Sequence, residues 1–127
     1  QAIEKGIKVI ISENFYSEYD GITWIIVENS VKFLQDLAHY HIENHSIKTI
    51  GITGSNGKTI VKEWLYQCLW NEFPTVKSPK SFNSQIGLPI SLLQTSEKHQ
   101  VGIFEVGISK PQEMKTLEEI FSPPPEI

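Results

Sequence analysis

Apolar and polar positions along the chain alternate between short extended runs and helical stretches. "KVIIS" (8–12) and "TWIIVEN" (23–29) are rich in β-branched residues and flank a polar loop containing Asp20-Gly21, which predicts two short strands. Ser30 stands where a helix N-cap belongs. Val31, Leu34, Leu37, Ala38 and His41 follow at helical spacing, predicting a helix of about three turns. The polar "ENHS" (43–46) breaks the pattern and marks the expected domain boundary, with residues 1–45 before it and 46–127 after it.

A more regular pattern follows. "IKTIGIT" (47–53) is apolar enough to be a strand buried on both faces, as parallel strands are. After a glycine-rich turn, Ile60, Val61, Trp64, Leu65, Cys68 and Leu69 form one broad helical face, and Pro74 comes just past the expected helix end. "SPKSFNSQIGLP" (78–89) is loop-like, "PISLLQ" predicts a short helix with Pro89 in its first turn, and "QVGIFEVG" (100–107) predicts another strand. Pro111 then opens a last helix carrying Met114, Leu117 and Ile120. Strand, glycine turn, helix, strand, helix predicts an α/β fold: a parallel sheet with flanking helices.

Composition narrows the function classes. A chain 39% hydrophobic and 20% charged suits a globular core. A net charge of -4 gives no reason to expect nucleic acid, whose binders usually carry a basic face, and no apolar run approaches the ~20 residues of a membrane span. The single cysteine, Cys68, excludes an internal disulfide and a cysteine zinc cluster, which fits a cytoplasmic setting; on its helical face it reads as packing. The three tryptophans read as core or interface. The chain opens without an initiator Met and stops on "FSPPPEI", so it is expected to be a piece of a longer protein.

"GITGSNGKT" (51–59) carries the strongest chemical signal. Binding a phosphate needs converging backbone N–H groups, a helix N-terminus, a lysine for the β/γ oxygens and a Ser/Thr hydroxyl for Mg²⁺. Gly54, Gly57, Lys58 and Thr59 supply these parts, with Ser55, Asn56 and Ile60 completing the turn. The general ATP/GTP loop has a further glycine where Ile52 stands. The competing reading is a tight strand-to-helix turn with Lys58 solvated.

Glu105 is the odd residue in "VGIFEVGIS", because a charge ending an apolar strand is costly unless paired or coordinated. In a parallel sheet it would share an edge with the loop and face Thr59 across Mg²⁺. Alternatively, it simply emerges into water. Asn83 lies in a loop returning over that edge, as a substrate contact or as a turn former. His39, His41 and His45 lack an acidic cluster and do not suggest zinc, with His41 half-buried on its helix.

"TGSNGKT" followed by "VKEW", "NSQIGLPISLL" and "GIFEVGISKPQEM" together resemble the Mur ligases, ATP-dependent amide-bond-forming enzymes of peptidoglycan synthesis. Their loop lacks the upstream glycine, and the three blocks occur in family order over about 47–127. The upstream "AIEKGIKVIIS" and "WIIVENSVKFLQDLAHYH" resemble the end of the family's UDP-substrate-binding domain. "GSNGKT", "VKEW" and "GISKPQEM" are most similar to members that join D-alanyl-D-alanine to UDP-MurNAc-tripeptide. The resemblance implies that Lys58 and the loop residues 54–60 hold ATP, Thr59 and Glu105 hold Mg²⁺, and Asn83 lines the site. An acyl phosphate on the tripeptide carboxylate is then attacked by the dipeptide amine. It also implies a cytoplasmic role in cell-wall biogenesis, cell shape and division, without membrane insertion. "SPKSFNSQIGLPISL" further resembles forms fused to an alanine racemase, which would bring PLP, although no racemase residues lie in the chain. The family's modified lysine, adenine contacts and C-terminal domain are absent, so the chain alone is expected to be inactive. Another Mur-type or folylpolyglutamate-type ligase, a general P-loop kinase or NTPase, and a non-catalytic nucleotide-binding module stay open as alternatives.

Overall fold

The structure is a computed structural model that describes residues 5–16 and 19–107. The helix expected after Pro111 lies outside the described residues. The elements are β1 (Val9–Ser12), β2 (Thr23–Ile26), α1 (Ser30–Glu43), β3 (Lys48–Ile52), α2 (Lys58–Leu69), β4 (Thr75–Lys77), α3 (Gly87–Leu92) and β5 (Val101–Glu105). They fall into two compact units, residues 1–33 and 34–127.

In the first unit β1 and β2 pair in parallel, Val9 opposite Thr23. Trp24 packs edge-on against Phe15 at 5.9 Å between ring centres. The N-cap of α1 is Asn29, whose Oδ1 accepts the Lys32 N–H at 2.8 Å. Ser30, expected as the cap, is instead the first helical residue. Its backbone N–H and hydroxyl both donate to Glu13 Oε1, and the backbone bond foremost holds that carboxyl below its usual value.

The second unit is built on a three-stranded parallel sheet of order β3-β5-β4. β5 lies in the middle and is buried along its whole length. Its alternation sorts the layers. Phe104 and Val106 face a core with Val76, Leu88, Leu92 and Ala38, supplied by β4, α3 and α1. Ile103 and Glu105 point to the opposite face, where α2 lies, as the Lys62–Glu105 contact requires. His41 is half-buried, as expected, and its Nε2–H donates to the Thr95 carbonyl at 2.8 Å.

Four readings of the sequence are corrected. β3 is only partly covered, because among the described residues it is an edge strand rather than a doubly buried one. β4 was not expected; three residues between Pro74 and Ser78-Pro79 are too few to show a period. On α1, Gln35 and Ala38 are buried while Leu37 is exposed. On α2, the stripe read as core is largely turned outward. Ile60, Val61, Trp64 and Cys68 are exposed, and Lys62 is the buried residue. The helix phase follows Lys62, with Leu65, Tyr66 and Leu69 half-buried beside it, rather than the widest apolar arc.

Gly102 shows how tightly the central strand is packed. A Cβ there would meet Phe104 Cε2 at 2.5 Å and Ile47 Cδ1 at 3.3 Å, and the Phe104 ring is fully buried. Gly102→Ala is expected to destabilise the fold by about 1–3 kcal/mol through overpacking, read as a lower denaturant midpoint.

Candidate functional site

The glycine-rich turn connects the C-terminal end of β3 to the N-terminus of α2. Gly54 and Gly57 take φ values of 145° and 79°, a backbone region that side chains disfavour, so both positions need glycine. Gly57 is the N-cap of α2 and provides no side-chain cap, and the first turn carries no acidic residue. The N–H groups and partial positive charge of this helix end are thus left for an anion. Ser55, Asn56, Thr59 and Ile60 are exposed around the turn. Lys58 Nζ folds back over it and donates to the Gly54 carbonyl at 2.6 Å.

The register of the sheet brings Glu105 to the same edge. Ile52, the last residue of β3, pairs with Glu105, the last residue of β5. The turn and the carboxylate therefore leave neighbouring strands at the same end. Glu105 does not emerge into water; it is fully buried. Its Oε1 lies 2.9 Å from Lys62 Nζ, and Lys62 is also fully buried. Lys62 donates to the Ser78 carbonyl at 2.9 Å and to the Lys80 carbonyl. Ser78 closes the cluster, its Oγ accepting the Glu105 backbone N–H at 3.1 Å and its own N–H bonding Ile103 O at 2.9 Å.

The 78–86 loop is seated on that edge too. Gly107 N–H donates to the Asn83 carbonyl at 2.7 Å. A Cβ at Gly107 would come within 2.6 Å of that carbonyl and 3.0 Å of Asn83 Oδ1, so this glycine permits the approach. Gly54 to Ile60, Glu105 and Asn83 thus gather at one end of the sheet. Sequence reasoning missed Lys62 and Ser78. No local signal marked either, because what singles them out is the distant partner Glu105.

The donor chemistry suits a hard divalent cation such as Mg²⁺. Both carboxylate oxygens of Glu105 are buried, and among the described residues neither accepts a hydrogen bond of good geometry; Lys62 approaches Oε1 as an ion pair only. Oxygen donors of this kind, with the exposed Thr59 hydroxyl on the adjacent helix turn, are what Mg²⁺ takes. A separate concavity of about 550 Å³ is lined by Lys48, Ile50, Leu69, Phe73 and Val101. It sits at the opposite end of the strands and is not part of this site.

Comparisons with known proteins show the family. The Mur ligase middle domain matches residues 52–125. The chain belongs to the Mur ligase family. It is 41% identical over 109 residues to the UDP-N-acetylmuramoyl-tripeptide--D-alanyl-D-alanine ligase of Borreliella burgdorferi, covering 86% of this chain and 24% of that protein. The enzyme of the same name from Treponema pallidum is 35% identical, with 97% of this chain and 29% of that protein covered. The crystal structure of the MurF ligase of Thermotoga maritima in complex with ADP superposes with a TM-score of 0.83 at 34% identity, over 96% of this chain and 28% of that one. The chain therefore spans about a quarter of the length of these relatives.

Beside the buried pair, Glu63 lies 3.4 Å from Lys62 and is bonded to Lys77, whose ammonium also sits 4.1 Å over the Tyr66 ring. The Lys77 hydrogen bond, foremost, lowers the Glu63 pKa below its ordinary 4.5, against a smaller opposing effect of burial. A lowered folded-state pKa gives stability that is present above 4.5 and lost as pH falls through the folded value. Glu63→Gln is expected to cost less than about 1 kcal/mol at pH 7, because the pair is partly exposed. Denaturant titrations of both forms should converge as the pH is lowered into that acid range.

Proposed function

We propose that this chain is part of an ATP-dependent ligase of peptidoglycan precursor synthesis, which joins D-alanyl-D-alanine to UDP-MurNAc-tripeptide. The observation that carries the reading is the pairing of Ile52 with Glu105, which sets a phosphate-type turn and a buried carboxylate at one sheet edge. Residues 1–45 would then end a UDP-substrate-binding domain, and residues 46–127 would open the ATP-binding domain. The names of the relatives support the choice of substrates.

In this reading the amides of residues 54–60 and the Lys58 ammonium hold the ATP phosphates, with Lys58 exchanging the Gly54 carbonyl for β/γ oxygens. Thr59 and Glu105 would hold Mg²⁺, which when bound neutralises charge on the transferring phosphoryl group. Asn83 borders the space where the substrate carboxylate meets the γ-phosphate. Phosphoryl transfer to that carboxylate gives an acyl phosphate; the dipeptide amine attacks it, forming the amide and releasing phosphate. The chain's contribution is positioning and charge neutralisation, which this chemistry chiefly needs. The reading places the reaction in the cytoplasm; no described helix is long and apolar enough to cross a membrane. The proposal does not extend to alanine racemase or PLP, on which no residue of the chain bears.

In the full-length protein, ADP release should require both UDP-MurNAc-tripeptide and D-alanyl-D-alanine. Release with a different carboxylate or amine, and none with this pair, would contradict the substrate assignment. Lys58→Ala should lower turnover by at least about a hundredfold, as loss of a charged transition-state contact does; unchanged turnover would remove the phosphate-loop assignment.

A further inference from the structure

Lys62 is the feature that the proposed chemistry leaves unused. It is a fully buried lysine on α2, one turn after Lys58, and its ammonium points to the Glu105 and 78–80 side. Its ammonium meets four groups: Glu105 Oε1 at 2.9 Å, the Ser78 carbonyl at 2.9 Å, the Lys80 carbonyl and, more distantly, Glu63 Oε1 at 3.4 Å. Lys80 has φ 51°, the sole non-glycine residue with positive φ among the described residues. Backbone in that region persists only where its surroundings fix it.

We propose that Lys62 is a positioning residue that fixes the Glu105 carboxylate and the 78–83 loop at a common point. Oε2 is thereby left free for the divalent cation and Asn83 is set beside it. The inference rests on the site reading above. Two carbonyls anchor the ammonium, so it is a fixed point in the structure. Among the described residues, by contrast, no hydrogen bond reaches the Glu105 carboxylate oxygens, so Lys62 is what orients them. The loop is joined to the same point through Ser78, whose hydroxyl accepts the Glu105 N–H.

Two effects of removing Lys62 oppose each other, and their signs differ. An ammonium beside a metal ligand competes with the metal, so losing it would tighten metal binding if Glu105 were held by other means. If Lys62 orients the carboxylate, losing it weakens metal binding. Among the described residues those oxygens have no other partner, which favours the second.

The test is Mn²⁺ binding, followed by electron paramagnetic resonance, to the ADP complex of the full-length ligase containing this chain. Lys62→Met should leave metal-free ADP affinity within about twofold, while Mn²⁺ affinity falls roughly 10- to 100-fold, the range for residues that orient a metal ligand. Equal or tighter Mn²⁺ binding by folded Lys62→Met would overturn the proposal. If that variant fails to fold, Lys62→Arg decides: it keeps the charge but shifts it, and weaker Mn²⁺ binding is expected, unchanged binding being contrary. Glu105→Gln separates the two layers. Loss of Mn²⁺ binding in Glu105→Gln but not in the Lys62 variants refutes the role of Lys62 alone. Retention in Glu105→Gln refutes the metal-site reading and this inference with it.

Discussion

A lysine and a glutamate sealed inside the protein at 2.9 Å are the constraint around which the second unit is arranged. Removing either ion from water costs several kcal/mol, and mutual attraction offsets that only when the remaining polar groups are satisfied. Lys62 meets this condition through the two carbonyls of the 78–80 segment. Glu105 does not, since its buried oxygens accept no well-formed hydrogen bond among the described residues. The pair is thus satisfied on the lysine side and short of partners on the carboxylate side. A fold built for stability alone would gain from apolar residues in both places.

The rest of the unit follows from accommodating this pair. α2 turns Lys62 toward the sheet and leaves Trp64 and Cys68 outside, against the expectation from its apolar arc. β5 occupies the centre of the sheet, with Phe104 anchoring one face and Glu105 presented to the other. Parallel pairing then brings the ends of β3 and β5 together, so that a helix N-terminus and a carboxylate share one edge. Gly107 lets the Asn83 backbone close over that edge.

What the sequence made legible was local chemistry. The turn at 54–59 has its glycines, lysine and threonine within six residues, and the φ values at Gly54 and Gly57 are those such a turn needs. Glu105 stood out because a charge is anomalous in an apolar strand. The parallel α/β class followed from the order of strand, turn and helix. What stayed hidden depended on distant partners. Lys62 looks like any solvated helix lysine until Glu105 and Ser78 are placed beside it, and β4 is too short to carry a period. The cap of α1 is Asn29 rather than Ser30, since Asn29 Oδ1 accepts the Lys32 N–H while Ser30, already helical, donates to Glu13. The buried pair adds a physical reason for the lysine in "VKEW".

The most direct measurement is a crystal structure of the full-length ligase with Mg²⁺ and a non-hydrolysable ATP analogue. The account requires the β- and γ-phosphates on the amides of residues 54–59, with the ion shared by Thr59 and Glu105 while Lys62 keeps its contact with the carboxylate. Phosphates bound elsewhere, or an ion held without Glu105, would contradict it.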